Sequence, residues 1–309
     1  MNPARDPLEA SAVTQPTRPE SGLDSFQAVR IPPTEKPVRK KRLGCLWLVL
    51  LVFLPPLVYF FTPLRTNFLV LGVDGGLGRG DLGRADTIIL TTVSPLRPYV
   101  GMLSIPRDLW VPIEGVGENR INTAYFFAEA KQPGSGAGAA LQAVSQNFDV
   151  PVGYYLVVRM DGLLSFVDAM GGVDIKLSKP AAGLPAGTTH LDGQTALAFA
   201  RSRANADDFS RMAQAQVLIK AVLQRLLQPE VWPALPQILR SAEAVIDTNI
   251  PLWQWPRLGL AFLRAGQTGI DSRVITREMV RPFTTNQGAQ VLAPNWDAIG
   301  KVTAEMFGR

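Results

Sequence analysis

Gly83-Arg84-Ala85-Asp86-Thr87 leads into an apolar run that ends at Val93, and a second run from Tyr99 closes on Ser104-Ile105-Pro106-Arg107-Asp108. Both runs are short, apolar and bounded by turn residues, the pattern of strands buried on both faces. Both also set arginine beside carboxylate where a sheet should end, and such groups hold phosphate and metal. A third run, Asn67 to Val73, ends on Asp74 and is followed by Gly-Gly-Leu-Gly-Arg-Gly. That flexible loop lies at the carboxyl end of a strand, where sites in α/β proteins gather. It is not a nucleotide-binding fingerprint, since no Lys-Ser/Thr follows and no helix opens there.

Gly153 to Val158 reads as a fourth strand, and helix-like stretches lie between and after the strands. They are Gly138 to Phe148, Met160 to Met170, Gly193 to Ala200 and a long stretch from Ser210 to Leu227, where Met212, Gln216, Ile219 and Leu223 recur at helical spacing. A second helical region follows, with Pro233 to Ile246, Leu252 to Arg264 and Pro294 to Phe307, expected to pack on the same sheet. The domain therefore mixes helices and strands. No internal repeat makes it a solenoid.

At 309 residues and 47% hydrophobic composition, the chain has ample material for a core. Residues 1 to 35 mix Pro, Ser, Thr, Glu and Arg without periodicity, so a disordered tail is expected, extending with its basic cluster to residue 43. Much of the net charge of +5 sits in that cluster, Lys36, Arg39, Lys40, Lys41 and Arg42. Residues 44 to 61 carry no charge; as a helix they would reach about 27 Å, near the roughly 30 Å of bilayer hydrocarbon. Residues 44–62 are thus expected to be one transmembrane signal-anchor, with the basic cluster cytoplasmic and residues 63–309 on the far side. Pro55-Pro56 sits uncomfortably in a helix, although membrane helices tolerate such kinks. A cleaved signal peptide is the rival, but no small-x-small cleavage site follows the run.

Cys45, the only cysteine, precedes the apolar run instead of following it, which argues against lipidation and leaves a small interface residue. The only histidine, His190, falls in a Pro/Gly/Thr-rich loop and reads as a solvated residue, not a base. No zinc-like Cys/His cluster exists.

Asp74 and Asp86 flank the glycine-rich loop, so the two strands can bring them together to hold Mg²⁺. They can equally pair with Arg79, Arg84 or Arg107 as structural ion pairs, and spacing alone leaves both readings open. Asp108 beside Arg107 is expected to orient its guanidinium through a charge-assisted hydrogen bond worth about 1.5–3 kcal/mol. Arg201 and Arg203 alternate and would share one face of an extended segment. A pyrophosphate would satisfy both, and so would acidic neighbours such as Asp207 and Asp208.

Leu-Gly-Val-Asp, Arg-Ala-Asp-Thr, Ser-Ile-Pro-Arg-Asp, Arg-Ile-Asn-Thr-Ala-Tyr, Val-Asp-Ala-Met-Gly-Gly-Val-Asp-Ile, Leu-Asp-Gly-Gln-Thr-Ala-Leu-Ala-Phe-Ala-Arg-Ser-Arg and Asp-Asp-Phe-Ser-Arg occur in that order between Asn67 and Leu227. This series resembles the LytR-CpsA-Psr proteins, which usually carry a membrane anchor ahead of it. The resemblance implies a three-layer α/β/α domain with a central mixed sheet, a motif core over 67–227 and a helical part over 228–309. It implies binding of a polyprenyl-pyrophosphate lipid in an apolar tunnel and transfer of its glycopolymer, as a phosphodiester, onto peptidoglycan. Asp74 and Asp86 match magnesium-associated aspartates, and Arg84, Arg107, Arg120, Arg201, Arg203 and Arg211 match pyrophosphate-binding positions. Arg84, Asp86 and Arg107 are the residues expected to be catalytic.

One departure stands out. The family often reads Gly-Arg-x-x-Arg-Gln-Gln where this chain has Ser210-Arg211-Met212-Ala213-Gln214-Ala215-Gln216, so a second arginine and one glutamine are missing.

The expected function is phosphoryl transfer with the nucleophile supplied by the substrate, because no Ser/His or Cys/His pair is apparent. Asp86 and Asp108 are the candidate bases. The alternatives are a lipid pyrophosphatase and a non-catalytic lipid-binding scaffold. Nucleic-acid binding is not expected, since five basic residues beside an apolar run serve membrane orientation.

Overall fold

The computed structural model describes residues 43–61, 65–75, 82–95, 98–202, 208–266 and 269–308. The chain divides into residues 1–52 and 53–309. Helix α1 (Leu43–Phe61) runs for 19 residues without a charged side chain and continues through Pro55 and Pro56. Its side chains are described at Trp47 and from Leu50 to Phe60, and among the described residues no helix is long and apolar enough to cross a membrane.

The apolar runs become β1 (Thr66–Asp74), β2 (Arg84–Ser94) and β3 (Tyr99–Ile105), all buried through their centres. A short hairpin, β4 (Trp110–Ile113) with β5 (Gly117–Arg120), leads to α2 (Thr123–Lys131) and α3 (Gly136–Phe148). Strand β6 (Tyr154–Arg159) follows, then α4 (Leu163–Ala169), the hairpin β7 (Val173–Leu177) with β8 (Gly187–Leu191), and α5 (Gly193–Arg201). Helices α6 (Asp208–Leu226) and α7 (Leu235–Val245), strand β9 (Ile246–Thr248), helix α8 (Trp255–Ala265) and strand β10 (Ile270–Val274) come next. The hairpin β11 (Val280–Thr284) with β12 (Gln290–Pro294) and helix α9 (Trp296–Phe307) close the chain.

The central sheet is mixed, with strand order β10-β3-β2-β1-β6-β9. β1 pairs antiparallel with β2 and parallel with β6, β3 pairs parallel with β10, and β9 runs antiparallel to β6. Period-two alternation decides the layers. Leu69, Leu71 and Val73 of β1 face a cluster completed by α2, α3 and α9, through residues such as Tyr125, Val144 and Met306. Phe68 and Val70 face the opposite cluster with Leu258, Ala261 and Ala265 of α8. Helices therefore cover both faces. A third cluster joins α4 to α7 with the β7–β8 hairpin through Phe166, Val173, Phe199 and Ile238.

Residues 228–309 are not only helical, because β9 and β10 form the two edges of the central sheet. β9 is only three residues long and β10 is apolar only at its ends, Ile270 and Val274, so neither carries a continuous hydrophobic run. His190 lies not in a loop but in β8, where its Nδ1 is 2.7 Å from Asp174 Oδ1 across the hairpin.

The glycines of two motifs are explained by packing. At Gly172, φ is 84° and a Cβ would meet His190 Nε2 at 2.3 Å. Asp192 caps α5 by accepting from Thr195 N at 2.8 Å, and Asp168 Oδ1 accepts from Gly193 N at 2.6 Å. A Cβ on Gly193 would stand 2.1 Å from the Leu164 carbonyl oxygen. Gly193→Ala is expected to destabilise the fold by about 1–3 kcal/mol through overpacking, read as a lowered melting temperature. An unchanged melting temperature would show that α4 and α5 separate without cost.

Candidate active site

The sheet's topology puts one set of strand ends together. The carboxyl ends of β1, β3, β6 and β10 lie beside the start of β2, because β2 runs against β1 and β3 while β6 and β10 run with them. This end carries Asp74, Arg84, Asp86, Arg107 and Arg159. A β-bulge shapes it: Gly72 pairs with Thr87 and Val73 with Ala85, so Asp86 has no partner in β1. Bulges re-aim side chains in this way. Asp86 reaches across to the loop after β3, and its Oδ1 accepts a hydrogen bond from Arg107 Nη1 at 2.9 Å.

Arg107 is the hub of one ion network. Its Nε lies 3.1 Å from Asp208 Oδ1 and 3.5 Å from Asp108 Oδ2. The expected orienting partner, Asp108, is thus the loosest of the three; its other oxygen is 3.2 Å from Arg120 Nε. Arg120 Nη2 also donates to the Gln290 carbonyl at 3.0 Å, tying the β11–β12 hairpin to the site. Arg211 Nη1 stands 3.5 Å from Asp208 Oδ1. Burial pulls the Arg107 pKa down, and the carboxylates of Asp208, Asp86 and Asp108 outweigh it, so its charge is secure. Burial pushes the Asp208 carboxyl above its ordinary value, with Asp108 and Asp86 adding to the rise and Arg107 and Arg211 opposing it.

A second network is centred on Arg201, whose Nη2 donates to Asp74 Oδ1 and to Asp161 Oδ1, both at 2.9 Å. Arg201 is not on an extended segment. It is the last residue of α5, whose start is fixed by Asp192 and Gly193, so helix length aims the guanidinium. Arg203 and Asp207 lie outside the described residues. Arg84 faces Asp74 in the β1–β2 register, and its guanidinium carbon stands 5.3 Å from the centre of the Phe126 ring.

The structure thus brings Arg107, Arg120 and Arg211 together through shared carboxylates, and joins Arg201 to Asp74. Asp74 and Asp86 are both ion-paired with arginines, yet their side chains remain 34% and 32% exposed. Two carboxylates suit Mg²⁺, which takes one or two from protein and completes its shell with water and substrate phosphate oxygens. Among the described residues no group of three or more His, Cys, Asp or Glu is arranged to hold a metal. The donor set therefore fits a magnesium ion shared with a phosphorylated substrate, not an all-protein cage.

Sequence reasoning passed over Asp161 and Arg277. Asp161 follows β6 by two residues at the same sheet end, a placement that marks it. Arg277 follows β10 and lies with its guanidinium carbon 5.5 Å from the centre of the Phe209 ring, beside Asp208.

Fold and site together define an α/β domain that presents arginine–aspartate networks at the carboxyl end of a mixed sheet, where sites of α/β proteins gather. The chain belongs to the LytR_cpsA_psr family, whose model matches residues 64–308. It is 30% identical over 248 residues to the polyisoprenyl-teichoic acid–peptidoglycan teichoic acid transferase TagU of Oceanobacillus iheyensis, covering 78% of this chain and 75% of that one. Identity to TagU of Enterococcus faecalis is 28% over 207 residues, 64% of this chain and 66% of that protein. The fold is similar to that of B. subtilis TagV, with a TM-score of 0.64, 23% identity and coverage of 80% and 98% of the two chains. It is also similar to TagT bound to LIIa-WTA, with a TM-score of 0.63, 21% identity and coverage of 78% and 89%. At those identities the structural likeness speaks for the fold.

An acid whose pKa is higher folded than unfolded binds protons more readily when folded, so stability falls as pH rises from the ordinary 3.8 through the raised value. Asp208→Asn mimics the protonated carboxyl. Its melting temperature is expected to equal that of the wild type below this window and to exceed it increasingly as pH rises through it. A difference that is constant with pH would contradict the burial argument.

Proposed function

We propose that this protein is a magnesium-dependent phosphotransferase that moves a glycopolymer from a polyprenyl-pyrophosphate carrier onto peptidoglycan, forming a phosphodiester. The observation that carries the reading is the gathering of arginines at one sheet end, where Arg107 pairs with Asp86 and Arg201 with Asp74, both carboxylates partly exposed, and Arg120 and Arg211 join through Asp108 and Asp208, in a chain whose relatives are named as teichoic acid transferases. Arg203, at a matching position, completes the proposed set. Residues 44–62 are proposed as a transmembrane anchor, placing the domain at the outer face of the plasma membrane.

The arginines bind the pyrophosphate and hold its bridging and terminal oxygens as charge moves onto the leaving group. A hydroxyl of the wall glycan attacks the phosphorus that bears the glycopolymer. The new oxygen–phosphorus bond forms as the pyrophosphate bond breaks, and polyprenyl phosphate leaves with the electron pair. The hydroxyl proton passes to a carboxylate, Asp86 or Asp108. Asp74 and Asp86 would hold Mg²⁺, which supplies charge neutralisation of the pyrophosphate when bound.

Arg107 is a poor probe of this reading, because its removal leaves three carboxylates facing one another. Arg201 is more exposed and is the cleaner choice. In proteoliposomes with lipid-linked donor and peptidoglycan oligomers, Arg201→Ala is expected to lower transfer by about 10³ with an unchanged melting temperature. Chelation of Mg²⁺ should abolish transfer. Full transfer by Arg201→Ala, or phosphate release without acceptor, would overturn the assignment in favour of a scaffold or a pyrophosphatase.

A further inference from the structure

Helix α8 is apolar on both sides. Leu258, Ala261 and Ala265 pack against the sheet. The opposite side and the turn leading into it expose Leu252 at 86%, Trp253 at 58%, Trp255 at 38%, Leu260 at 37% and Leu263 at 50%. A helix that is hydrophobic all round is normally covered, and an exposed patch of this kind marks an interaction surface. Residues 250–269 contain no Asp or Glu, and of their two arginines Arg264 is exposed while Arg257 is buried.

The last turns of α1 indicate what covers this face. Tyr59 packs its ring on Trp253, with centroids 6.0 Å apart at 64°, and its hydroxyl donates to the Trp253 carbonyl. Two and six residues earlier, α1 exposes Leu57 at 55% and Phe53 at 66%. The patch therefore continues directly from the end of an uncharged helix. Tryptophan and tyrosine, which carry an apolar body and a polar tip, belong at the membrane–water boundary. The absence of acidic residues suits an anionic lipid surface.

We propose that the outer face of α8 and its lead-in, Leu252 to Leu263, is an interfacial membrane-docking surface that lies in the headgroup region beside the end of α1. This rests on the reading of α1 as a membrane anchor. Docking at two places fixes the domain's tilt on the bilayer, where one flexible tether would not. A lipid-linked substrate then meets the site at a set height and angle.

The test uses the full chain with Cys45 replaced by serine, in nanodiscs of phosphatidylethanolamine and phosphatidylglycerol. Nitroxide labels are placed singly at Leu54→Cys, Leu252→Cys and Leu263→Cys, and their collisions with oxygen and with a water-soluble nickel chelate are compared. The expected result is a several-fold excess of oxygen over nickel collisions at all three positions. If the label at position 54 is lipid-protected but those at 252 and 263 meet nickel freely, the anchor stands and the docking surface falls. Protection of 252 and 263 from both reagents, with dipolar broadening between labels, would assign the face to a second copy and overturn the proposal. Free nickel access at position 54 would remove the anchor, and the proposal with it. As an independent reading, Leu252→Glu/Leu263→Glu is expected to reduce transfer from donor lipid in nanodiscs several-fold with an unchanged melting temperature. Unaltered transfer would show that the face takes no part in presenting the substrate.

Discussion

A single guanidinium, that of Arg107, meets carboxylates from the start of β2, from its own loop and from the start of α6. Taking one cation and three anions partly out of water is costly unless further cations join. Arg120 answers Asp108 and Arg211 answers Asp208. Even so burial holds the Asp208 carboxyl above its ordinary pKa. On the proposed reading, the arginines are pre-aimed by carboxylates that an incoming pyrophosphate must displace. That displacement has a cost, set against guanidinium groups already held in place at one sheet end. Asp74 and Asp86, which would hold Mg²⁺ on that reading, are the partners of Arg201 and Arg107, so each carboxylate stands between a cation of the protein and the proposed ion.

The buried strands were legible because their sequences are uninterrupted: Asn67 to Val73, Thr87 to Val93 and Tyr99 to Ile105 all lie within observed strands. The hairpins β4–β5, β7–β8 and β11–β12 were not, because each strand is at most five residues long and partly exposed, with proline, glycine or polar residues breaking any apolar run. The Asp86–Arg107 contact could be anticipated as one of several pairings, but the bulge that selects it depends on strand register, which no local pattern encodes. Arg201 was misplaced onto an extended segment because the end of α5 is set by capping at its other end, Asp192, eight residues before Ala200. Asp161 carries no motif; only the parallel pairing of β6 with β1 brings it to Asp74's side of the molecule.

The departure after Arg211 has a structural answer for one glutamine. Gln216 is buried, and its Nε2 donates to the carbonyl of Arg273 at 2.6 Å and to that of Met102 at 3.4 Å. Those bonds pin α6 across the β3–β10 pair and occupy the amide with backbone. Gln216 is thus a fastening of the helix to the sheet, one turn and more from Arg211. Arg277, from the segment after β10, sets its guanidinium carbon 5.5 Å from the centre of the Phe209 ring, two residues before Arg211.

The domain extends beyond its motifs. The conspicuous motifs stop at Leu227, yet a chain cut there would lose β9 and β10 and leave β6 and β3 as bare edges. It would also lose α8 and α9, which supply Leu258, Ala261 and Met306 to the two faces of the sheet. Long apolar strands with unpaired edges are templates for aggregation, so the motif core cannot stand as a folding unit. The ends of the sheet are closed by segments with little sequence signature of their own, because an edge strand needs only one apolar face and correct register. The chemistry-bearing residues are concentrated in the first two thirds of the chain, and the last third keeps the strands that carry them in one sheet.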